Sequence, residues 1–184
     1  QTGKGNAYVT ELRDKKRVRI YRMVYQGDGS AQTNGANADW HDMDLTQASP
    51  VELVETLTHS NMLWRKHAQR LLVERGKLDV QKQLIDLVND ESVGARGLNV
   101  GAIHALWTLH GLGAYEQSSA ARKAAYGALD HPAPGVRENA LKVLPHTAQS
   151  RRRILESGSL NDDDAKVRLA ALLALADMPA SERA

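Results

Sequence analysis

The chain has 184 residues, 42% of them hydrophobic, which suits one ordinary domain or one small array of repeats. Its 24 basic and 22 acidic side chains leave a net charge of +2 and exclude the one-signed surface of a dedicated nucleic-acid binder. With no cysteine it can form no disulfide, thiol nucleophile or cysteine metal site, and either redox compartment stays open.

Phenylalanine is absent and aromatics make up 4%, so the core must be aliphatic, a composition that favours helices over a β-sandwich. No run of about 18 apolar residues and no charged-then-apolar leader occurs, so neither a membrane span nor a visible signal peptide is expected. The chain starts at Gln1 and stops at Ala184 soon after Pro179, inside what reads as the start of another helix. A longer parent protein is therefore expected.

Residues 1–25 contain YVTELRDKKRVRIYRMVY (Tyr8 to Tyr25), whose alternation and Val, Ile and Tyr content around Asp14-Lys15-Lys16 predict a β-hairpin. Such a hairpin needs a sheet or helical face to lean on. Residues 26–47 are dense in Gly, Asn, Asp and Ser without hydrophobic period, and predict a polar linker at a domain boundary.

From Ala48 onward the pattern predicts helix pairs. Ser49 as N-cap, Pro50 at the first helical position and Glu52 three residues after the serine form a capping-box signature, followed by Val51, Leu53, Val54 and Leu57 as an apolar stripe. After the turn His59-Ser60-Asn61, a second helix should run to near Gly76.

Internal repetition then becomes visible. Offsets 0, 4, 7 and 8 of each second helix give Trp64, Ala68, Leu71, Leu72; Gly101, Ala105, Thr108, Leu109; Val136, Ala140, Val143, Leu144; and Val167, Ala171, Ala174, Leu175. These offsets share one face of a 3.6-residue helix, and the starting positions 64, 101, 136 and 167 are 37, 35 and 31 residues apart, the size of one helix-turn-helix unit. First helices repeat the spacing at Val80, Leu84, Leu87, Val88 and at Ala121, Ala125, Ala128, Leu129. The second unit departs from the repeat at Gly101 and Thr108, and Asp90 to Asn99 inserts an extra loop before it. The recurrent alanine would let stacked backbones approach closely.

At offset 1 stand Arg65, Arg137 and Arg168, each after a polar turn that holds Asp130 in one unit and Asp162 to Asp164 in another. An Asp at the start of the second helix suits its dipole, and an arginine fork can pair with an Asp of its own or a neighbouring turn. The arginines are read as structural ladder residues.

Segments such as DHPAPGVRENALKVL and NDDDAKVRLAALLAL resemble HEAT repeats, particularly the short bacterial kind called PBS-lyase HEAT-like repeats, from about Ala48 to Pro179. The fold this resemblance implies is mainly α: an α-solenoid of about four HEAT-like helix pairs over residues 48–184, preceded by the hairpin and linker. The order RIYRMVYQG, polar linker, DWHDMDLTQASPVELVETLTHSNMLWRKHAQRLLVERG and AIHALWTLHGLG is also similar to the C-terminal HEAT region of large bacterial secreted proteins. In those, the region follows a sugar-dehydrogenase-like β-propeller and often precedes a c-type cytochrome domain. That likeness implies a periplasmic or extracellular location and makes the hairpin the end of a propeller. The propeller's ligand residues would lie upstream of Gln1, and the CxxCH haem motif needs cysteine, so no catalytic or cofactor-binding residue carries over.

Candidate chemistry is sparse. Seven histidines form no HExxH, and His104 and His110 are six apart on one helix, so no metal site is expected and His104 should pack beside Trp107 or cap a polar group. Asp39-Trp40-His41-Asp42-Met43-Asp44 lacks a calcium loop's closing Glu, and Trp40 is expected to pin the linker onto the first repeat; Gly3-Lys4-Gly5 lacks phosphate-loop spacing. Arg151-Arg152-Arg153 should be a solvated helix start paired with Glu156 and Asp162 to Asp164, while Trp64 and Trp107 sit in the apolar stripes as core. The expected function is a non-catalytic scaffold for a protein partner or adjacent domain, with no cofactor. An accessory part of a secreted propeller dehydrogenase with a cytochrome partner is the first alternative, and nucleic-acid binding on a basic concave face the second.

Overall fold

The structure, a computed structural model, describes residues 43–94 and 97–178. The expected hairpin, the linker up to residue 42 with Trp40, and the Gly3-Lys4-Gly5 segment lie outside the described residues. A compact unit begins at Met43, and among the described residues all regular structure is helical. The protein is mainly α.

The helices are α1 (Pro50–Thr56), α2 (Met62–Arg75), α3 (Gln81–Val88), α4 (Val100–Gly111), α5 (Ala114–Gln117), α6 (Ser119–Gly127), α7 (Pro134–Val143), α8 (Ala148–Glu156) and α9 (Ala165–Asp177). Helix α1 starts on a capping box: the Glu52 amide donates to Ser49 Oγ and the Ser49 amide donates to Glu52 Oε2 at 2.7 Å. That exchange satisfies amides that the helix itself leaves free. Helix α2 ends on Gly76, whose φ of 63° terminates the helix without the clash a Cβ would bring.

Leu53 and Val54 of α1 and its C-cap Leu57 are buried, whereas Val51 is 45% exposed. On a helix wheel Leu53, Leu57 and Val54 span an arc of about 100°, and Val51 falls about 60° outside it. Residues just before α1 continue this packing. Leu45 and Ala48 lie partly buried against the core, and Asp44 accepts the Thr46 amide at 2.8 Å.

Packing partners sort the helices into two rows. Helices α2, α4, α7 and α9 follow one another side by side, each also packed against an earlier short helix or turn; α1, α3 and α6 make the second row. Between the rows lies an aliphatic core in which Ala68, Ala105, Ala140 and Ala171 are all fully buried. Leu72, Leu109, Val136, Val167 and Leu144 are buried beside them, Leu175 and Trp64 partly so.

The two departures in the second unit have local reasons. A Cβ on Gly101 would stand 3.0 Å from the Thr58 methyl group, a contact so tight that the Thr58 side chain would have to give way. Thr108 is fully buried, and its hydroxyl donates to the His104 carbonyl at 2.7 Å, which removes the cost of placing a polar atom among aliphatic neighbours. Gly111 serves the same close approach: a Cβ there would lie 2.8 Å from a Val73 methyl carbon of α2.

Candidate functional site

The ladder residues meet at the turns that precede the second helices. Arg65 Nη1 donates to the carbonyls of His59 and Ser60. Arg137 Nη1 does the same to His131 and Pro132 at 2.8 and 3.1 Å, and Arg168 Nη1 to Asp162 and Asp163 at 2.6 and 3.0 Å. In each case the arginine on the first turn of a helix reaches back six and five residues to hold the turn from which that helix started. Two turn carbonyls thereby accept charge-assisted bonds in each of these units.

The residue that supplies the first carbonyl also shapes the turn. His59 Nδ1, Asp90 Oδ1, His131 Nδ1 and Asp162 Oδ1 occupy one position of the repeat. Each accepts the backbone N–H two residues on, at Asn61, Ser92, Ala133 and Asp164, over 2.9 to 3.0 Å. An imidazole nitrogen here does the work of a carboxylate oxygen in an Asx turn. Because His131 Nδ1 accepts, its ring proton sits on Nε2, which donates to the Asp90 carbonyl of the preceding unit at 3.0 Å.

Asp162 links two units more strongly. Arg137 Nε and Nη2 donate to its two carboxylate oxygens at 2.7 and 2.8 Å, a bidentate pair whose side chains are only 18% and 11% exposed. The bonds from Arg137 hold the Asp162 carboxyl below the usual carboxylate range despite desolvation, and reciprocally the Arg137 guanidinium is raised. The second unit has no arginine at this place, since Ala102 occupies it. Asn99 substitutes: its side-chain nitrogen donates to the Asp90 and Ser92 carbonyls at 2.7 and 3.0 Å, while its oxygen accepts the Ala102 amide. Asp90, the counterpart of Asp162, spends its carboxylate on the Ser92 amide and hydroxyl, and buried Arg65 Nε has no acceptor. Desolvation accordingly lowers the Arg65 pKa.

On the second-helix row a polar and aromatic seam crosses three helices. His104 Nδ1 meets Gln69 Oε1 at 2.7 Å, and Trp107 Nε1 donates to Asn139 Oδ1 at 2.8 Å. His110, rather than His104, is the ring neighbour of Trp107, edge-on with centroids 5.6 Å apart. Trp64 and Trp107 are half-buried, not core, and Trp64 Nε1 is buried without a partner. A cleft of about 360 Å³ opens between α2 and α4, lined by Lys66, Gln69, Arg70, Val73, Trp107 and His110. Burial, then the charges of Arg65 and Lys66, push the His104 pKa down to about 4, so the ring is neutral at pH 7.

The remaining sequence candidates are dispersed. Arg153 pairs with Glu156 at 3.4 Å and lies over the Tyr126 ring, Arg151 donates to the Met178 carbonyl at 3.1 Å, and Arg152 is exposed. Among the described residues no group of three His, Asp or Glu side chains is placed to hold a metal ion, and no helix is long and apolar enough to cross a membrane. No protein-family model, characterised protein or solved structure matches the chain.

Replacing Arg137 by Lys keeps the charge but cannot hold two carbonyls and two carboxylate oxygens together. It should lower the unfolding free energy by about 1–3 kcal/mol in urea titration, whereas a loss under about 0.5 kcal/mol would contradict the ladder. A second outcome concerns pH. Since the folded pKa of His104 lies below its unfolded value, the folded state binds fewer protons between pH 6.5 and 4; stability is fully present above about 6.5 and falls as pH drops towards 4. The ring is part-exposed, so the loss should be on the order of 1–2 kcal/mol, and His104→Gln, measured by urea unfolding at pH 7 and 4.5, should remove it.

Proposed function

We propose that residues 48–184 form an α-solenoid of HEAT-like helix pairs that acts as a non-catalytic scaffold, holding a protein partner or a neighbouring domain on the surface of its second helices. The observation that carries this reading is the repetition of one mechanical unit. Four second helices bury an alanine at the same offset, and the same turn position accepts the same backbone N–H in all four. A chain that repeats one joint in this way makes a continuous surface whose curvature is set by the joint and whose outward residues are free to vary.

Outward variation is what the second-helix row has. Along one line of equivalent positions run Arg70, Trp107, Lys142 and Leu173, and along its neighbour Lys66, Ile103, Glu138 and Leu169. The first line runs cationic, aromatic, cationic, aliphatic and the second cationic, aliphatic, anionic, aliphatic. The cleft beside Trp107, between cationic Lys66 and Arg70, would suit an acidic segment with an apolar anchor. Arginine and tryptophan are the side chains that most often carry binding energy at such places.

The test is site-specific photo-crosslinking in the source cells, with the reactive side chain placed at Arg70 or Lys142 on the second-helix row and at Lys123 or Arg152 on the first-helix row. The proposal expects one common protein, or one further region of the same polypeptide, captured from the first two positions and not from the last two. Capture from Lys123 and Arg152 alone, or from none of the four, would overturn it.

A further inference from the structure

We infer that the outer face of α9 is an interface for a second copy of this chain, joined through an antiparallel, two-fold pairing of the two α9 helices. The starting observation is exposure. Leu169, Leu172 and Leu173 are 56%, 58% and 56% exposed on one helix, and with Ala176 they form an i, i+3, i+4, i+7 stripe about 10 Å long along a helix of about 20 Å. Single exposed leucines are ordinary on a protein surface; three on one stripe are not.

Equivalence within the repeat says what this stripe is for. Leu172 stands at offset 5 of its unit, where α4 has Leu106 and α7 has Leu141, exposed by 0% and 2%. Leu173 takes the place of Trp107, which is half-buried and bonded to Asn139 of α7. Leu169 takes the place of Ile103, whose δ-carbon would lie 3.5 Å from a Cβ built on Gly135. Leu172 therefore stands where a next second helix packs when there is one, and Leu169 and Leu173 border that place. In α2 and α7 their counterparts Lys66, Arg70 and Lys142 are polar and exposed, whereas α9 carries leucine at both. Leu155 of α8, 57% exposed, extends the same end face: its counterpart in α6 is Tyr126, 6% exposed and hydrogen-bonded to Ser150 of α8.

Charge chooses the occupant. Lys166 in the first turn of α9 and Asp177 at its last position flank Leu173 on the same side of the stripe, and neither has an ion-pair partner among the described residues. When two copies of α9 pair antiparallel, each Lys166 stands beside the partner's Asp177, and both helix dipoles oppose favourably. A parallel pairing would set Lys166 against Lys166. Two-fold closure also uses up the stripe on both copies, leaving no sticky end. Three leucines and their surroundings fall short of the roughly 800 Å² per partner of a standard interface, so the association is weak.

Sedimentation equilibrium on the full chain from about 5 to 500 µM tests this, and a weak two-fold contact of this size should be half-associated on the order of 100 µM. Leu173→Asp should weaken association at least about tenfold with the helical circular dichroism unchanged. Lys166→Glu should weaken it about threefold or more at low salt, and adding Asp177→Lys to that variant should restore it to within about twofold of the unmodified chain. Both charge changes favour or leave neutral the local helix end or its pairing, so folding is not at risk from them together. A monomer throughout the range would overturn the proposal and assign the face to a different protein or to a further part of a longer polypeptide. Association that survives Leu173→Asp would place the contact elsewhere, and failure of the double reversal to recover would rule out the antiparallel arrangement.

Discussion

The architecture depends on how closely neighbouring helices can approach, above all across the two rows. Ala68, Ala105, Ala140 and Ala171 are each fully buried between the two rows, so a larger side chain there would have to displace its neighbours. Protein interiors are packed as densely as organic crystals, so an added methylene at such a place moves backbone rather than filling space. The same constraint bears on the glycines of α4: a Cβ would press on the Thr58 methyl at Gly101 and overlap a Val73 methyl at Gly111. An aliphatic core with few aromatics is the composition that this spacing requires.

Close approach alone leaves the helices free to slide, and the turns remove that freedom. One turn position accepts an N–H two residues ahead, and an arginine six residues ahead holds its carbonyl, so each helix is tied to its own starting point. The Arg137–Asp162 pair then fixes the third unit to the fourth, while the His131 to Asp90 contact fixes the second to the third. Histidine and aspartate both serve the turn at this position because the turn needs only one accepting atom at the right distance, while their links to the neighbouring unit differ. Where the insertion before α4 removes the arginine, Asn99 contributes two donors and one acceptor to the same set of groups.

Much of this was legible in the sequence, and what was not has a common cause. The capping box at Ser49, the end of α2 at Gly76 and the buried alanine of each second helix are local signals or simple periodicities, which is why the helices could be placed. The arginine ladder was legible as residues but not as geometry, because its main acceptors are backbone carbonyls, which carry no mark in the sequence. Contacts over long separations were hidden for the same reason: nothing near Gln69 announces His104, and nothing near Trp107 announces Asn139. Helix α5 went unanticipated, since its four residues follow Gly113 at a φ of 64° and its burial of Tyr115 depends on an acceptor at Leu106. The misplaced Val51 shows the limit of a periodic pattern at a helix start, where one turn is too short to fix the centre of the buried arc.

Joints built this way separate the residues that set stability from those that vary at the surface. Alanines, turn residues and arginines fix the joints, and the outward rows around Trp107 and Leu173 vary without touching them. The most direct measurement is the denaturant midpoint of Ala140→Leu beside Ala120→Leu, an exposed alanine of α6. Close helix approach predicts a loss of about 2–4 kcal/mol for the first and under about 0.5 kcal/mol for the second. Equal, small effects at both positions would contradict it.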